Sequence, residues 1–348
     1  MNKALVTGAA GFIGSNVVRE LLAEGVDVRA MVLPGEDERN LAALDVEKVP
    51  GNILDPHSLD AALYGCDTLF HLAALYSLRA PRKAFFDVNL QGSRNMLWAA
   101  KKADLEKIVY TASIAALGLE PGKLPSNEET EFNQYTANDY VLTKYISQQE
   151  ALTFAREGMP IVVVNPCFPY GEGDVVPTPT GKIILDVANR ANFMSYDGGY
   201  NIVDVKDVAH GHVLAAKKGR IGEKYILGNM NVTLTELFEM VAQAAGIRTR
   251  IIKMPLTLAR IYGFLWEKNA LRTGTQPTVT HREVAYSHKW LFYDVSKARR
   301  ELGLESTPVE VSLGCAVEWF RREGYIPRSD PWVWFTKALQ RVCNIGLK

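Results

Sequence analysis

The chain carries no surplus of charge of either sign: Lys and Arg together number 39, and so do Asp and Glu. A nucleic-acid partner requires a basic face to neutralise phosphates, so this balance argues against one. Cysteine is scarce. Cys66, Cys167, Cys315 and Cys343 stand far apart with no C-x-x-C pair, a spacing that offers neither a zinc site nor a disulfide framework and points to a reducing compartment. No run approaches the roughly 20 apolar residues that span a bilayer. Met1 leads directly into an apolar strand and a glycine cluster, without the regions of a signal peptide. The expected location is the cytoplasm. Histidine gives no metal pattern: His210 and His212, two apart on a helix, face different sides, and His281 and His288 lie too far apart to pair. No metal is expected. The eight methionines form no cluster, and neither repeats nor low-complexity tracts occur.

What is present is an ordinary globular composition, 47% hydrophobic over 348 residues, enough for one large or two fused domains. The first half alternates short apolar runs at 4–6, 28–32, 48–50, 68–72, 108–111 and 161–165 with helical patterns at 12–24, 56–63, 84–103 and 138–157. Asp55 and Pro56 supply an N-cap and a first-turn proline for the second helix. Strand–helix alternation of this kind predicts a doubly wound parallel sheet of Rossmann type, with its ligand crevice at the strand C-termini. After Pro166 the rhythm loosens into Pro- and Gly-rich stretches and shorter helices at 235–245 and 309–323. The expected organisation is a dinucleotide-binding core at 1–165, a smaller substrate-binding lobe at 166–326 with segments returning to the core, and a tail at 327–348. In that tail Trp332, Phe335, Leu339, Val342 and Ile345 recur at helical spacing. Such a stripe packs on its own protein or a second subunit, and its alternative is an interfacial helix touching a membrane.

Three motifs carry chemistry. Thr7-Gly8-Ala9-Ala10-Gly11-Phe12-Ile13-Gly14 follows the first strand and opens the first helix. Gly8 permits the tight turn, Gly11 lets backbone approach a pyrophosphate, and Gly14 allows close helix–sheet packing. The helix N-terminus offers free N–H groups to the phosphates. Tyr140 and Lys144 are four residues apart, hence on one helix face. A phenol with a pKa near ~10 is a poor base at neutral pH, and a neighbouring ammonium together with the positive charge of an oxidised nicotinamide lowers it. Ser113 follows the strand at 108–111 and would sit at the crevice, where a hydroxyl can orient a substrate oxygen. His71, at the end of a buried run, reads as a structural, hydrogen-bonded residue.

Taken with His71-Leu72-Ala73-Ala74, Tyr110-Thr111-Ala112-Ser113, Asn165-Pro166 and Asp204-Val205-Lys206-Asp207-Val208-Ala209, these motifs in this order resemble the extended short-chain dehydrogenases/reductases from Met1 to about Ile326. The resemblance implies a catalytic triad of Ser113, Tyr140 and Lys144, in which the tyrosine exchanges a proton with the substrate oxygen as hydride moves to or from the nicotinamide. It implies cofactor contacts from Phe12, Ile13, Ile53, Ala73, Ala74 and Pro166, and a homodimer through the helices near 84–103 and 138–157.

The chain departs from that pattern in places. Asn52 stands where the family usually places an aspartate facing the adenine, although an amide oxygen can accept the same hydrogen bond. Val32-Leu33 ends the second strand with neither the acid of NAD enzymes nor the arginine of NADP enzymes. Glu36, Asp37 and Glu38 would repel a 2′-phosphate and Arg39 could offset them, so the choice between NAD and NADP leans to NAD. Segment 196–203 contains no Arg or Lys, and Phe168 and Tyr170 make the adjoining loop aromatic. A sugar diphosphate needs a cationic clamp. Lys182 and Arg190 read as solvated helix positions. The pattern therefore is similar to the dihydroflavonol reductase and 3-beta-hydroxysteroid dehydrogenase branch, and also to hopanoid-associated sugar-epimerase-like proteins. The expected function is interconversion of a secondary alcohol and a ketone on an apolar, sterol-like, polycyclic or aromatic substrate, with Tyr76, Ser113, Phe168 and Tyr170 lining its pocket. The alternatives are a nucleotide-sugar epimerase or dehydratase and a non-catalytic cofactor-binding scaffold. Intact Ser113, Tyr140 and Lys144 argue against the scaffold.

Overall fold

A computed structural model describes residues 1–76, 80–190, 194–248, 250–258 and 289–326. The tail at 327–348, with its apolar stripe, lies outside the described residues, as do His281 and His288. The strands are β1 Lys3–Thr7, β2 Asp27–Val32, β3 Glu47–Pro50, β4 Thr68–His71, β5 Lys107–Thr111, β6 Ile161–Pro166, β7 Phe168–Tyr170, β8 Met194–Ser195, β9 Gly199–Asp204, β10 Lys224–Leu227, β11 Met230–Thr233, β12 Ile252–Lys253 and β13 Trp290–Leu291. The helices used below are α1 Phe12–Ala23, α2 Pro56–Leu63, α3 Arg82–Phe85, α4 Ser93–Ala103, α5 Asp139–Arg156, α6 Pro179–Ala188, α7 Val205–Lys218, α8 Leu234–Ala244, α9 Ser296–Leu302 and α10 Val309–Arg322.

Seven strands form one parallel sheet in the order β10-β6-β5-β4-β1-β2-β3. The chain reverses direction across the sheet between β1 and β4, and that switch point opens the ligand crevice. Period-2 alternation divides the core. Ala4, Val6, Phe70, Val109, Val162 and Val164 face one layer, while Leu5, Leu69, Ile108, Tyr110, Ile161 and Val163 face the other. Both faces are buried, which is why the strands read as continuous apolar runs. Helices α1 and α7 lie side by side over the first face, joined at their surfaces by Glu20–His210 and Glu24–Lys217. Helices α2, α4 and α5 cover the second. Asp55 caps α2, accepting from the N–H of His57, with Pro56 in its first turn.

The long helix anticipated at 84–103 is three pieces: α3, a π-helical stretch Phe86–Gly92, and α4. After β6 the chain builds a second sheet, β11-β9-β13 with β7 beside β9, under α6, α8 and α10. Within this stretch α7 and β10 return to the large sheet. Strand β10 is its edge, and Glu128, only 3% exposed, reaches it from the loop after β5 and accepts the N–H of Ile226 at 2.9 Å. Cys66 and Cys167 are free thiols, whereas Cys315 is disulfide-bonded, a departure from the reading of the cysteines as an unpaired set. Among the described residues no helix is long and apolar enough to cross a membrane, and no group of His, Cys, Asp or Glu is placed to hold a metal ion.

Candidate active site

The glycine turn is shaped by close approach. Gly8 takes φ +66, and a Cβ there would come within 2.9 Å of the Ala73 nitrogen. At Gly14 a Cβ would sit 2.0 Å from the Gly8 carbonyl oxygen. Only glycine lets the first turn of α1 lie on the β1–α1 loop in this way. Gly11 is the N-cap of α1, with no side chain capping it and no acidic residue in the first turn. The leading N–H groups of α1 thus remain available to an anion. A dinucleotide pyrophosphate fits this cradle, with Phe12 and Ile13 partly exposed beside it. Of the other expected cofactor contacts, Ala73 is partly exposed, Ala74 exposed and Pro166 buried at the end of β6. Ile53 is 6% exposed and packs under Gly92. The Asn52 side-chain oxygen accepts the N–H of Leu54 at 2.9 Å, which leaves it one lone pair. Arg39 is exposed and held by Asp37, with 2.7 Å between Nη2 and Oδ2.

Beneath the turn, Thr7 ends β1 opposite His71 at the end of β4. The Thr7 hydroxyl accepts the N–H groups of Leu72 and Ala73, both at 3.1 Å, so its proton goes to His71 Nδ1 at 2.9 Å. His71 Nε2 therefore carries the ring hydrogen and faces Ser93 Oγ at 3.1 Å. Burial, aided by the charge of Lys144, pushes this histidine down to about 3. It is a neutral structural residue joining β1, β4 and α4.

Helix α5 opens with Asn138, whose side chain accepts the N–H of Val141. Tyr140 lies in the first turn and is partly exposed, while Lys144, one turn later, is 4% exposed. Ser113 comes from the end of β5, where it caps a short 3-10 turn Ile114–Ala116. Ser113 and Tyr140 come together here, and the Ser113 hydroxyl favours the ionised form of the phenol. The phenol is raised above the ordinary tyrosine value, because burial outweighs the lowering effect of Ser113. Lys144 instead donates to the Thr111 carbonyl oxygen at 2.9 Å, and burial lowers its ammonium to about 8. Thr111 is anchored from behind: His212, wholly buried on α7, donates from Nδ1 to the Val208 carbonyl oxygen at 2.7 Å and accepts the Thr111 hydroxyl at Nε2 at 3.0 Å.

Aromatic rings line the approach. Tyr76, 45% exposed, tilts against Tyr140 with ring centroids 4.7 Å apart, and Phe85 meets Tyr140 edge-on at 6.5 Å. Phe168 stacks on Tyr200 at 4.2 Å. Tyr170, expected at the pocket wall, is 2% exposed within the core, and its hydroxyl has no hydrogen-bond partner. Lys182 and Arg190 are exposed on and just after α6.

The residue that sequence reasoning missed is Asn89, in the π-helical stretch and 1% exposed. Its side chain accepts the Leu75 N–H at 2.6 Å, donates to the Leu75 carbonyl oxygen at 3.0 Å and approaches Thr143 Oγ1 at 3.4 Å. It thereby ties the segment that carries Tyr76 to the helix that carries Tyr140. An asparagine inside an otherwise amphipathic helical pattern was the available signal.

Residues 4–228 match the NAD dependent epimerase/dehydratase family. The chain is 38% identical over 327 residues to a putative dihydroflavonol 4-reductase of Synechocystis, covering 92% of this chain and 95% of that one. It is 33% identical over 328 residues to sterol demethylase protein B of Methylococcus capsulatus, covering 92% and 99%. The crystal structure of gox2253 is similar to it with a TM-score of 0.84 at 40% identity, over 94% of this chain and 100% of that one. The chain belongs to the NAD dependent epimerase/dehydratase family and is an NAD(P)-dependent dehydrogenase/reductase of the extended short-chain type.

Proposed function

We propose that the protein reduces a ketone on an apolar, ring-containing substrate to a secondary alcohol, with Tyr140 as the general acid. The observation that carries this reading is the Tyr140 phenol, raised by burial, set beside Ser113 and with its ring tilted against Tyr76 at 4.7 Å. A phenol held above its ordinary pKa is fully protonated at neutral pH, the form needed to donate to an oxygen that gains charge during reduction. When bound, the reduced nicotinamide supplies the hydride that the carbonyl carbon accepts. Ser113 orients the carbonyl oxygen, and Tyr140 gives it a proton. Lys144 places a buried positive charge one turn from the phenol, which stabilises the phenolate left once the proton has gone to the substrate oxygen. Tyr76 and Phe85 suit a flat apolar ring system. Relatives named as a dihydroflavonol reductase and a sterol demethylase protein support that substrate class. The exposure of Lys182 and Arg190, and the lack of any Arg or Lys in β9, weigh against a sugar diphosphate.

The test is turnover by the purified protein with NADH and NADPH, followed at the nicotinamide absorbance, on sterol-like ketones, flavonoid-like ketones and nucleotide sugars. We expect net cofactor oxidation with an apolar ketone, lowered by about 100-fold or more in Tyr140→Phe. The reduction rate should change little between pH 6 and 8, and the reverse oxidation should rise with pH. Conversion of a nucleotide sugar without net cofactor change would replace this reading with an epimerase.

A further inference from the structure

The glycine turn and the segment that follows β7 lie far apart in the chain, and two buried asparagines tie them together. Asn16, on α1, is 5% exposed, and Asn40, in the short 3-10 turn Arg39–Leu41, is 8% exposed. Each spends its amide hydrogens in the same way. Asn40 Nδ2 donates to the Ala10 carbonyl oxygen at 3.1 Å and to the Gly173 carbonyl oxygen at 2.8 Å. Asn16 Nδ2 donates to the Phe12 carbonyl oxygen at 2.9 Å and to the Glu172 carbonyl oxygen at 3.2 Å. Carbonyl oxygens only accept, so these four contacts fix both amides in one orientation. The clasp is close. A Cβ on Gly173, which takes φ +98, would lie 3.3 Å from Asn40 Oδ1 and 3.6 Å from Asn16 Nδ2.

Both ends of the clasp belong to functional segments. Ala10 and Phe12 flank Gly11, the N-cap of α1. A peptide unit is planar, so the Phe12 carbonyl and the Ile13 N–H turn together, and that N–H is one of the leading donors of α1. A donor that holds the carbonyl also polarises the N–H of the same peptide. At the other end, Glu172 and Gly173 follow closely on β7, the strand that carries Phe168. Asp174 continues the line: its carboxylate accepts the Thr178 N–H at 3.0 Å and the Thr178 hydroxyl at 2.8 Å, and Thr178 caps α6. The Glu172 side chain reaches Arg322 on α10 at 3.8 Å. A continuous path of hydrogen bonds and backbone therefore runs from the pyrophosphate cradle to the aromatic strand and the first turn of α6.

We propose that Asn16 and Asn40 are positioning residues that make the placement of the second lobe depend on the dinucleotide. A diphosphate at the glycine turn fixes the peptides of Ala10 and Phe12, and the two amides pass that order to residues 171–178, hence to Phe168 and α6. By linkage, a substrate that holds the second lobe in place tightens the cofactor by the same factor. The proposal rests on the Gly8–Gly14 turn being the cofactor site.

Hydrogen–deuterium exchange read by mass spectrometry tests it without reference to turnover. ADP is the probe, because it carries the diphosphate and lacks the nicotinamide half that could touch the second lobe directly. In the wild-type protein, saturating ADP should slow exchange about fivefold or more at both 8–14 and 171–178. In Asn16→Ala and Asn40→Ala, each checked for folding by circular dichroism, ADP should still protect 8–14. Exchange at 171–178 should then stay within about twofold of the same variant without ADP. Wild-type protein protected at 8–14 but not at 171–178 overturns this proposal alone, and that measurement needs no variant. So do folded variants in which ADP still protects 171–178 to the wild-type extent. Wild-type protein that is folded but binds neither ADP nor NAD overturns the cofactor-site reading and this proposal with it.

Discussion

At the scale of single residues, the site depends on groups whose burial sets their charge. His212 is the cleanest case. Its two ring nitrogens are committed to Val208 and Thr111, and burial lowers it from 6.5 to about 4. The unfolded chain takes up this proton first as pH falls, so stability from the neutral ring is complete above pH 6.5 and is lost between 6.5 and about 4. The loss runs at about 1.4 kcal/mol per pH unit. His212→Gln keeps a donor and an acceptor but does not titrate. Urea unfolding of both proteins from pH 7 to 4.5 should show the wild type losing stability relative to the variant as pH falls. Parallel curves would mean that the ring is not buried neutral.

Some of this was readable from residue types and some was not. The glycines Gly8, Gly11 and Gly14, set after a strand and before a helix, pointed to a tight turn, and Gly8 and Gly14 make the close approaches such a turn requires. Tyr140 and Lys144 share a helix face as their spacing requires. The partner of the ammonium, a carbonyl oxygen on β5, depends on tertiary placement that no i,i+4 rule encodes. Arg39 and Glu36 stood in the sequence as neighbours with opposing meanings. Only the fold separates Glu36, which accepts the Leu33 N–H at 2.7 Å, from Asp37 and Glu38, which pair with Arg39 and Lys48.

At the scale of elements, the apolar runs that became β1, β2, β4, β5 and β6 were legible because a parallel sheet buries both faces, while β3 is an exposed edge strand. The short strands β7, β9 and β13 were not, since their partners lie far away in sequence and their lengths give no period. The break between α3 and α4 was likewise hidden: its residues keep helical spacing while the backbone widens to π geometry, a feature frequent at functional sites. That widened stretch carries Asn89. Asn89→Ala leaves both backbone groups of Leu75 without their partner, which should cost about 2 kcal/mol. Because Tyr76 follows Leu75, KM should rise more than kcat falls. Asn89→Asp keeps the acceptor, loses the donor, and should fall between the two in thermal unfolding and in KM. An alanine variant with unchanged KM would confine Asn89 to a purely structural role.

At the scale of the whole molecule, a buried acid closes part of the β10 edge of the large sheet. Glu128 is buried, accepts the Ile226 N–H, and has its carboxyl raised chiefly by burial. Glu128→Gln retains an acceptor and removes the desolvated charge, so denaturant unfolding should find it as stable as wild type or more so. Glu128→Ala strands a buried donor and should lose about 1–3 kcal/mol. Equal losses in the two variants would show that the charge, rather than the acceptor, matters.

The same acid decides how this protein can meet others. A parallel sheet that ends in an uncovered strand is a template on which a foreign strand can continue the ladder. By spending a carboxylate on the Ile226 amide, the chain gives that border, at this residue, a terminus rather than a next position.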